Sequence, residues 1–312
     1  MQSKKKEKIS LKHIIIIIIT ALFLVLIITF LFNQEFKQNV FINLGLKSQH
    51  LDSDNLNVNF IDVGQGDCSL IQYKDKNILV DTGDEVYSSK VVKYLNKNGV
   101  NSLDYIIISH PHLDHIGGLI NIISNIKTNK IIMREIPHEV LVKEYNIDNL
   151  LLFAEENHIE IHYPSFGEQI VLDKLSLKFL FLDKYDNIND SSLVTEFAYY
   201  DKQITFTGDI EETAEKYLSN FIAKTDVLKV AHHGSKTSSN PEMLSKLKPK
   251  ISIISCGADN NFGHPSDNIV SRLSNFSDYI FRTDLYGDIK LIIKKDTIEV
   301  LTEKSGKYTI DL

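Results

Sequence analysis

Tyr105-Ile106-Ile107-Ile108-Ser109-His110-Pro111-His112-Leu113-Asp114-His115-Ile116-Gly117-Gly118 joins a short apolar run to a cluster of metal-binding residue types. The first four residues, β-branched and aromatic, read as a buried strand. Three histidines and an aspartate then fall within six positions, in a chain with 11 histidines among 312 residues. Chance clustering of that density is improbable, so the loop is expected to hold a divalent metal, one ion or two, Zn2+ or Mn2+. Neutral imidazole and carboxylate are the donors such ions take. Alternate residues of an extended loop point His110 and His112 at one cation, and Asp114 and His115 turn towards a second. Asp114 is also placed to take a proton from a water bound to such an ion. Pro111 fixes one backbone dihedral, and Gly117-Gly118 lets the chain bend closely beneath the site.

A loop of this kind needs further ligands from later strands. Asp209 follows Gln203-Ile204-Thr205-Phe206-Thr207-Gly208, a strand ending in a glycine turn. Its competing reading is the N-cap of a helix starting at Ile210. Farther on, the apolar strand in Asp226-Val227-Leu228-Lys229-Val230-Ala231-His232-His233-Gly234-Ser235 ends in two histidines. One of them is expected to complete the metal site and the other to hydrogen-bond substrate.

The His-x-His-x-Asp-His pattern resembles the metallo-β-lactamase superfamily. The resemblance implies a four-layer αββα sandwich of the α/β (α+β) class and a hydrolase that attacks esters, amides or phosphodiesters with metal-activated water. It also implies that Asp209 bridges two metals, and the His-Gly-Ser order favours His233 over His232 as the last ligand. Further segments resemble the domain found in ComEC/Rec2-type competence proteins and its free-standing relatives. These are Asp62-Val63-Gly64-Gln65-Gly66-Asp67-Cys68-Ser69-Leu70-Ile71, Leu79-Val80-Asp81-Thr82-Gly83, Asn189-Asp190-Ser191-Ser192-Leu193-Val194, Gly263-His264-Pro265 and Arg282-Thr283-Asp284-Leu285-Tyr286-Gly287. Each is weak alone, but their order is specific, and it runs nearly end to end from residue 58.

Within these segments Asp62, Asp67 and Asp81 are expected to orient metal ligands from behind, with turn chemistry as the plainer alternative. His264 is placed to protonate or position the leaving oxygen, or else is a solvated loop histidine. Many superfamily members carry another histidine ligand where this chain has Asn189-Asp190-Ser191-Ser192, and His138, His158 and His162 sit in no comparable motif. Asn189 and Ser192 are therefore alternative contacts to the site, and one metal is held by fewer protein ligands or only one binds tightly. The resemblance implies a phosphodiester substrate, with nucleic acid as one class. Cell-envelope phosphodiesters of the teichoic-acid or phosphorylcholine type are the second reading, and a non-enzymatic, metal-stabilised envelope-binding protein is the third.

Composition bounds these readings. With 43% hydrophobic and 24% charged residues the chain has the balance of a globular protein with a sizeable core. Its net charge of −7 gives no overall attraction for polyanions. Ile14 to Phe32 carries no charge and follows five lysines. That is long enough to span a bilayer, and no small-x-small cleavage site follows it. The expected layout is a basic cytoplasmic tail over 1–13, a transmembrane anchor over 14–32, a linker over 33–57 and one hydrolase domain over 58–312. The lysines orient the anchor so that this domain lies outside the cytoplasm, single-pass and membrane-bound. Cys68 and Cys256, both in apolar strand-like settings, are expected to be buried free thiols rather than a disulfide.

Overall fold

The computed structural model describes residues 12, 20, 22, 25, 54–135 and 147–311. Two compact units divide the chain, one of residues 1–50 with 97–99 and the other of residues 51–96 with 100–312. The second carries the fold. Its strands are β1 (Leu56–Phe60), β2 (Ser69–Tyr73), β3 (Lys76–Val80), β4 (Ser102–Ile107), β5 (Lys127–Ile132), β6 (Glu160–His162), β7 (Gln169–Leu172), β8 (Leu175–Leu180), β9 (Val194–Tyr199), β10 (Lys202–Phe206), β11 (Val227–Lys229), β12 (Ile251–Ile254), β13 (Tyr279–Arg282), β14 (Ile289–Ile293), β15 (Thr297–Thr302) and β16 (Gly306–Asp311). The longer helices are α1 (Ser88–Lys97), α2 (Leu113–Ile116), α3 (Leu119–Asn125), α4 (Ile147–Glu156), α5 (Glu212–Leu218), α6 (Pro241–Leu247) and α7 (Asp267–Leu273).

One sheet runs β16-β15-β14-β1-β2-β3-β4-β5-β6 and the other β13-β12-β11-β10-β9-β8-β7. Alternation along the strands sets the layers, because successive side chains leave a strand on opposite faces. Ile78, Val80 and Ile107 point between the sheets and meet Phe179, Phe197, Phe206 and Ile253 from the other sheet. Their neighbours Leu79 and Ile106 point outward and are covered by Val91 and Leu95 of α1 and Leu119 and Ile122 of α3. On the far side Leu228 and Ile254 are covered by Leu218 of α5, Leu244 of α6 and Ile269 of α7. The result is the αββα sandwich expected from the sequence. Its first strand begins at Leu56, inside the stretch assigned to the linker.

The membrane anchor is corrected. Among the described residues no helix is long and apolar enough to cross a membrane. The longest, α1 and α4, have ten residues each. That is about half of the roughly 20 a bilayer core demands, and the buried sides of both helices are occupied by the protein's own sheet. Of the stretch 14–32, Thr20, Leu22 and Val25 are described and the rest lies outside the described residues. The single-pass topology, the membrane as a partner and the extracytoplasmic placement are withdrawn with the anchor.

Parallel pairing of β3 with β4 and of β4 with β5, and of β10 through β13, aligns the carboxyl ends of these strands. Ligand-bearing loops of open α/β sheets gather at such ends. One loop is tied down by Glu215 of α5, which is 1% exposed. Its carboxylate accepts the backbone N–H of Ser239, that of Asn240 at 2.8 Å and Asn240 Nδ2 at 2.6 Å. Burial pushes this carboxyl up to about 7 from 4.5, against the pull of those donors and of Arg272. A carboxyl with a raised folded pKa contributes stability that is full below its unfolded value and is lost as pH rises through the folded one. The denaturation midpoint should therefore fall between about pH 4.5 and 7. Glu215→Gln should flatten that fall, as read by urea titration at each pH, and an unchanged slope would contradict the assignment.

Candidate metal centre

Six loops meet over the ends of the two sheets. The turn from β1 to β2 supplies Asp67, the end of β3 supplies Asp81, and the loop after β4 carries His110 and His112 into α2, which holds Asp114 and His115. The turns after β10 and β11 supply Asp209 and the pair His232 and His233, and the loop after β12 supplies His264. They enclose a cleft of about 370 Å³ whose lining includes His112, Asp114, Asp209, His232, His233 and His264.

Two groups of donor atoms converge, each with all its atoms within 4.8 Å of one another: Asp67, His115, Asp209 and His233, and His110, His112 and Asp209. Asp209 belongs to both. In the first group His115 Nε2 lies 3.3 Å from Asp209 Oδ1, and His233 Nε2 lies 3.5 Å from Asp209 Oδ2. Asp114 borders it, with Oδ2 3.1 Å from His233 Nε2 and 3.9 Å from His115 Nε2. In the second, His110 Nε2 faces His112 Nδ1 at 2.9 Å and stands 3.9 Å from Asp209 Oδ2. His115 Nε2, Asp67 Oδ1 and Asp209 Oδ1 are buried and accept or donate no hydrogen bond. Buried polar atoms are almost always bonded, so unbonded ones aimed at a common point mark a ligand position. Imidazoles and carboxylates in this number fit a divalent cation.

The groups behind the donors fix their direction. Asp81 Oδ2 takes His115 Nδ1 at 2.9 Å and Ser109 Oγ at 2.8 Å, and its Oδ1 takes the Ser109 N–H at 2.7 Å. A carboxylate on the far nitrogen sets the tautomer and leaves Nε2 for a metal. His233 Nδ1 donates to the Ser255 carbonyl at 3.0 Å, with the same consequence. Asp67 flanks His233, its Oδ1 3.4 Å from Nδ1, and its Oδ2 is paired at 2.7 Å with Lys229 Nζ. Ser192 Oγ accepts the Asp209 N–H at 3.0 Å. Gly208, with φ +54, lets that turn pass: a Cβ there would stand 2.8 Å from Ser192 Cβ and 2.9 Å from Ser109 Cβ. His232 and His233 both hold left-handed backbone (φ 50 and 51), a conformation costly for residues with a Cβ and typical of functional sites.

The charge balance is that of a cation site. Asp209 is fully buried, yet the His115 and His233 cations outweigh that burial and hold its carboxyl well below the usual range. Asp114 is likewise held low by His115 and His233 against its burial. In return, burial lowers His233 but Asp209, Asp114 and Asp67 overcome it and push it up to about 10. His115 is raised by Asp209, Asp114 and Asp81 in the same way. His110 goes the other way, driven down by burial and by the neighbouring His115 charge. A metal binding here displaces the protons that these imidazoles hold.

The remaining sequence expectations fall as follows. His232 is half-buried, its Nε2 3.8 Å from Asp209 and its Nδ1 3.2 Å from Glu211, and it is in neither donor group. Asp62 is also outside both, accepting the Gly64 N–H at 3.1 Å. Asn189 donates to Glu211 at 3.2 Å and its buried Oδ1 accepts no hydrogen bond. His264 lines the cleft, its imidazole pushed down to about 4 by burial and then by His232 and His233. His162 pairs with Glu168 at 2.6 Å, and His138 lies outside the described residues. Cys68 and Cys256 are buried free thiols. Sequence reading passed over Lys229 and Glu211. Lys229 had a signal: a lysine inside the apolar strand Val227-Leu228-Lys229-Val230 has to find an acid when buried.

The fold and this constellation define a metal-dependent hydrolase, and the chain belongs to the metallo-beta-lactamase superfamily, whose family model matches residues 61–258. It is related to the ComEC/Rec2-type competence proteins at moderate identity. ComE operon protein 3 of Bacillus subtilis is 31% identical over 255 residues, which is 75% of this chain and 32% of that protein. Recombination protein 2 of Haemophilus influenzae is 27% identical over 252 residues, 78% of this chain and 29% of that protein. The chain thus spans about a third of the length of these curated relatives. CmlA, a diiron beta-hydroxylase from Streptomyces venezuelae, shares the fold with a TM-score of 0.56 at 13% identity, over 78% of this chain and 55% of that one.

Proposed function

We propose that the chain hydrolyses phosphodiesters, nucleic acid being the substrate class, with zinc or manganese as the cation. The observation that carries this is the sharing of Asp209 between two adjacent donor groups. Paired divalent cations supply water activation and a clamp on both oxygens of a phosphoryl displacement. Support also comes from relatives whose names, Recombination protein 2 and Competence protein ComA, belong to processes that handle DNA.

The residues divide the work. Asp67, His115, Asp209 and His233 would hold one cation, and His110 and His112 with Asp209 would hold the other. Asp114, at the cleft wall, takes the proton of the attacking water. His264 is neutral at neutral pH, given its pKa of about 4, and positions the leaving oxygen with one N–H or one lone pair. No specific observation favours the envelope-phosphodiester reading over this one, and the complete donor groups argue against a purely structural metal.

The test is hydrolysis of bis(p-nitrophenyl) phosphate and of single-stranded DNA by the purified chain. Activity should vanish on chelation and return with zinc or manganese. A cation at about 1,000 times its Kd adds roughly 4 kcal/mol of stability, so chelation should also lower Tm by several degrees. Metal-loaded protein that turns over no phosphodiester would overturn the proposal.

A further inference from the structure

Two apolar side chains stand in the wall of this otherwise polar cleft: Phe262, 71% exposed, and Leu113, 56% exposed. Phe262 lays its ring on the imidazole of His264, with centroids 5.7 Å apart and planes 24° from parallel. His264 is in turn braced edge-on by His232 at 5.4 Å and 74°. The loop that carries Phe262 is tied by one side chain. Asn260 Oδ1 accepts the N–H of Phe262 at 3.1 Å and of His264 at 3.0 Å, while Asn260 Nδ2 donates to the Gly257 carbonyl at 2.8 Å and to that of His264. The ring is therefore held at the mouth of the metal cleft with one face backed and the rest in solvent.

A lone exposed aromatic needs no explanation, but one held in place beside a hydrolytic centre does. The charges add a second reason. Among the described residues that line the cleft there is no lysine or arginine, and Asp84, Asp114 and Asp209 are there. Such a wall has little electrostatic hold on a phosphate backbone beyond the cations themselves. Affinity for the rest of the substrate has to come from another source, and every nucleobase offers a π face to an open ring.

We propose that Phe262, backed by His264, is the stacking platform for the nucleobase next to the scissile phosphodiester, so that the site selects nucleotidyl over base-free phosphodiesters. The proposal rests on the phosphodiesterase reading and names its specificity residue.

The chain has no tryptophan, so Phe262→Trp places a single indole reporter at this position. Titrating that variant, loaded with zinc, with a phosphorothioate-linked dinucleotide should quench its fluorescence. A phosphorothioate dimer of abasic sugars with the same charge should not. In steady-state kinetics Phe262→Ala should raise KM for an oligodeoxynucleotide about tenfold, the scale of one stacked base, and shift KM for its abasic counterpart far less. Phe262→Trp should restore the lower KM. An indole that ignores the base-bearing ligand, or an alanine effect equal on both substrates, overturns the platform. Quenching by the dinucleotide without any hydrolysis supports the platform and removes the phosphodiesterase reading instead.

Discussion

Asp209→Ala is expected to abolish turnover and to empty both donor groups together. Asp209 is the one residue common to the two groups, and it is 2% exposed, so solvent offers no substitute carboxylate. Loss of a partner behind a metal ligand already costs about 10–100-fold in affinity or activity, and loss of the shared ligand should exceed that. Removing the carboxylate also takes away a counter-charge 3.3 Å from His115 and 3.5 Å from His233, two buried imidazoles whose positive charges then oppose any cation. Elemental analysis and kcat, measured on the same preparation, check this. The two should fall together. Loss of activity with a full metal complement would make Asp209 a catalytic group rather than a ligand, and retention of both would remove it from the site.

The largest effect on stability is expected from Lys229→Met. Lys229 is 1% exposed, and its ammonium is held by Asp67 at 2.7 Å and by the Val230 carbonyl at 3.0 Å. Asp67, 4% exposed, would be left as a buried anion. Breaking a buried pair on one side costs about 3–5 kcal/mol, against a total stability of about 5–15 kcal/mol for most proteins. Two comparisons separate charge from packing. Adding Asp67→Asn to the methionine variant should recover much of the loss, since no charge is then stranded. Saturating zinc should do so too, because Asp67 is in the donor group that cation would join. Urea denaturation with chelator and with zinc reads both, and a methionine variant as stable as the wild type without metal would show the pair to be dispensable.

The parts of this molecule that were legible in the sequence are those whose signal is local. The strands before the histidine loop and before Asp209 were legible because an apolar run in each ends in polar turn residues, and they are Ser102–Ile107 and Lys202–Phe206. The convergence of His110, His112, His115, Asp209 and His233 was legible because each is a ligand type just beyond an apolar strand. β5 was not legible: the first four of its six residues, Lys127-Thr128-Asn129-Lys130, are polar, and parallel partners on both sides rather than its own composition make it a strand. β6, with three residues, is too short to show a period. The roles of Asp62, Asp67 and Asp81 could not be separated, because what distinguishes them is which partner lies across the site, Gly64, Lys229 or His115. The membrane span was read from the hydropathy of the apolar run from Ile14, and among the described residues no helix is long and apolar enough to cross a membrane. Phe262 left no trace, since an exposed aromatic in a loop breaks no pattern.

Anomalous diffraction from crystals of the full chain grown with zinc, recorded on either side of the zinc absorption edge, tests the central claim most directly. A peak within coordination distance of Asp209, His115 and His233 is the predicted result, with a second beside His110 and His112 at higher zinc. A difference map with no peak near Asp209 at saturating zinc would contradict the metal centre itself.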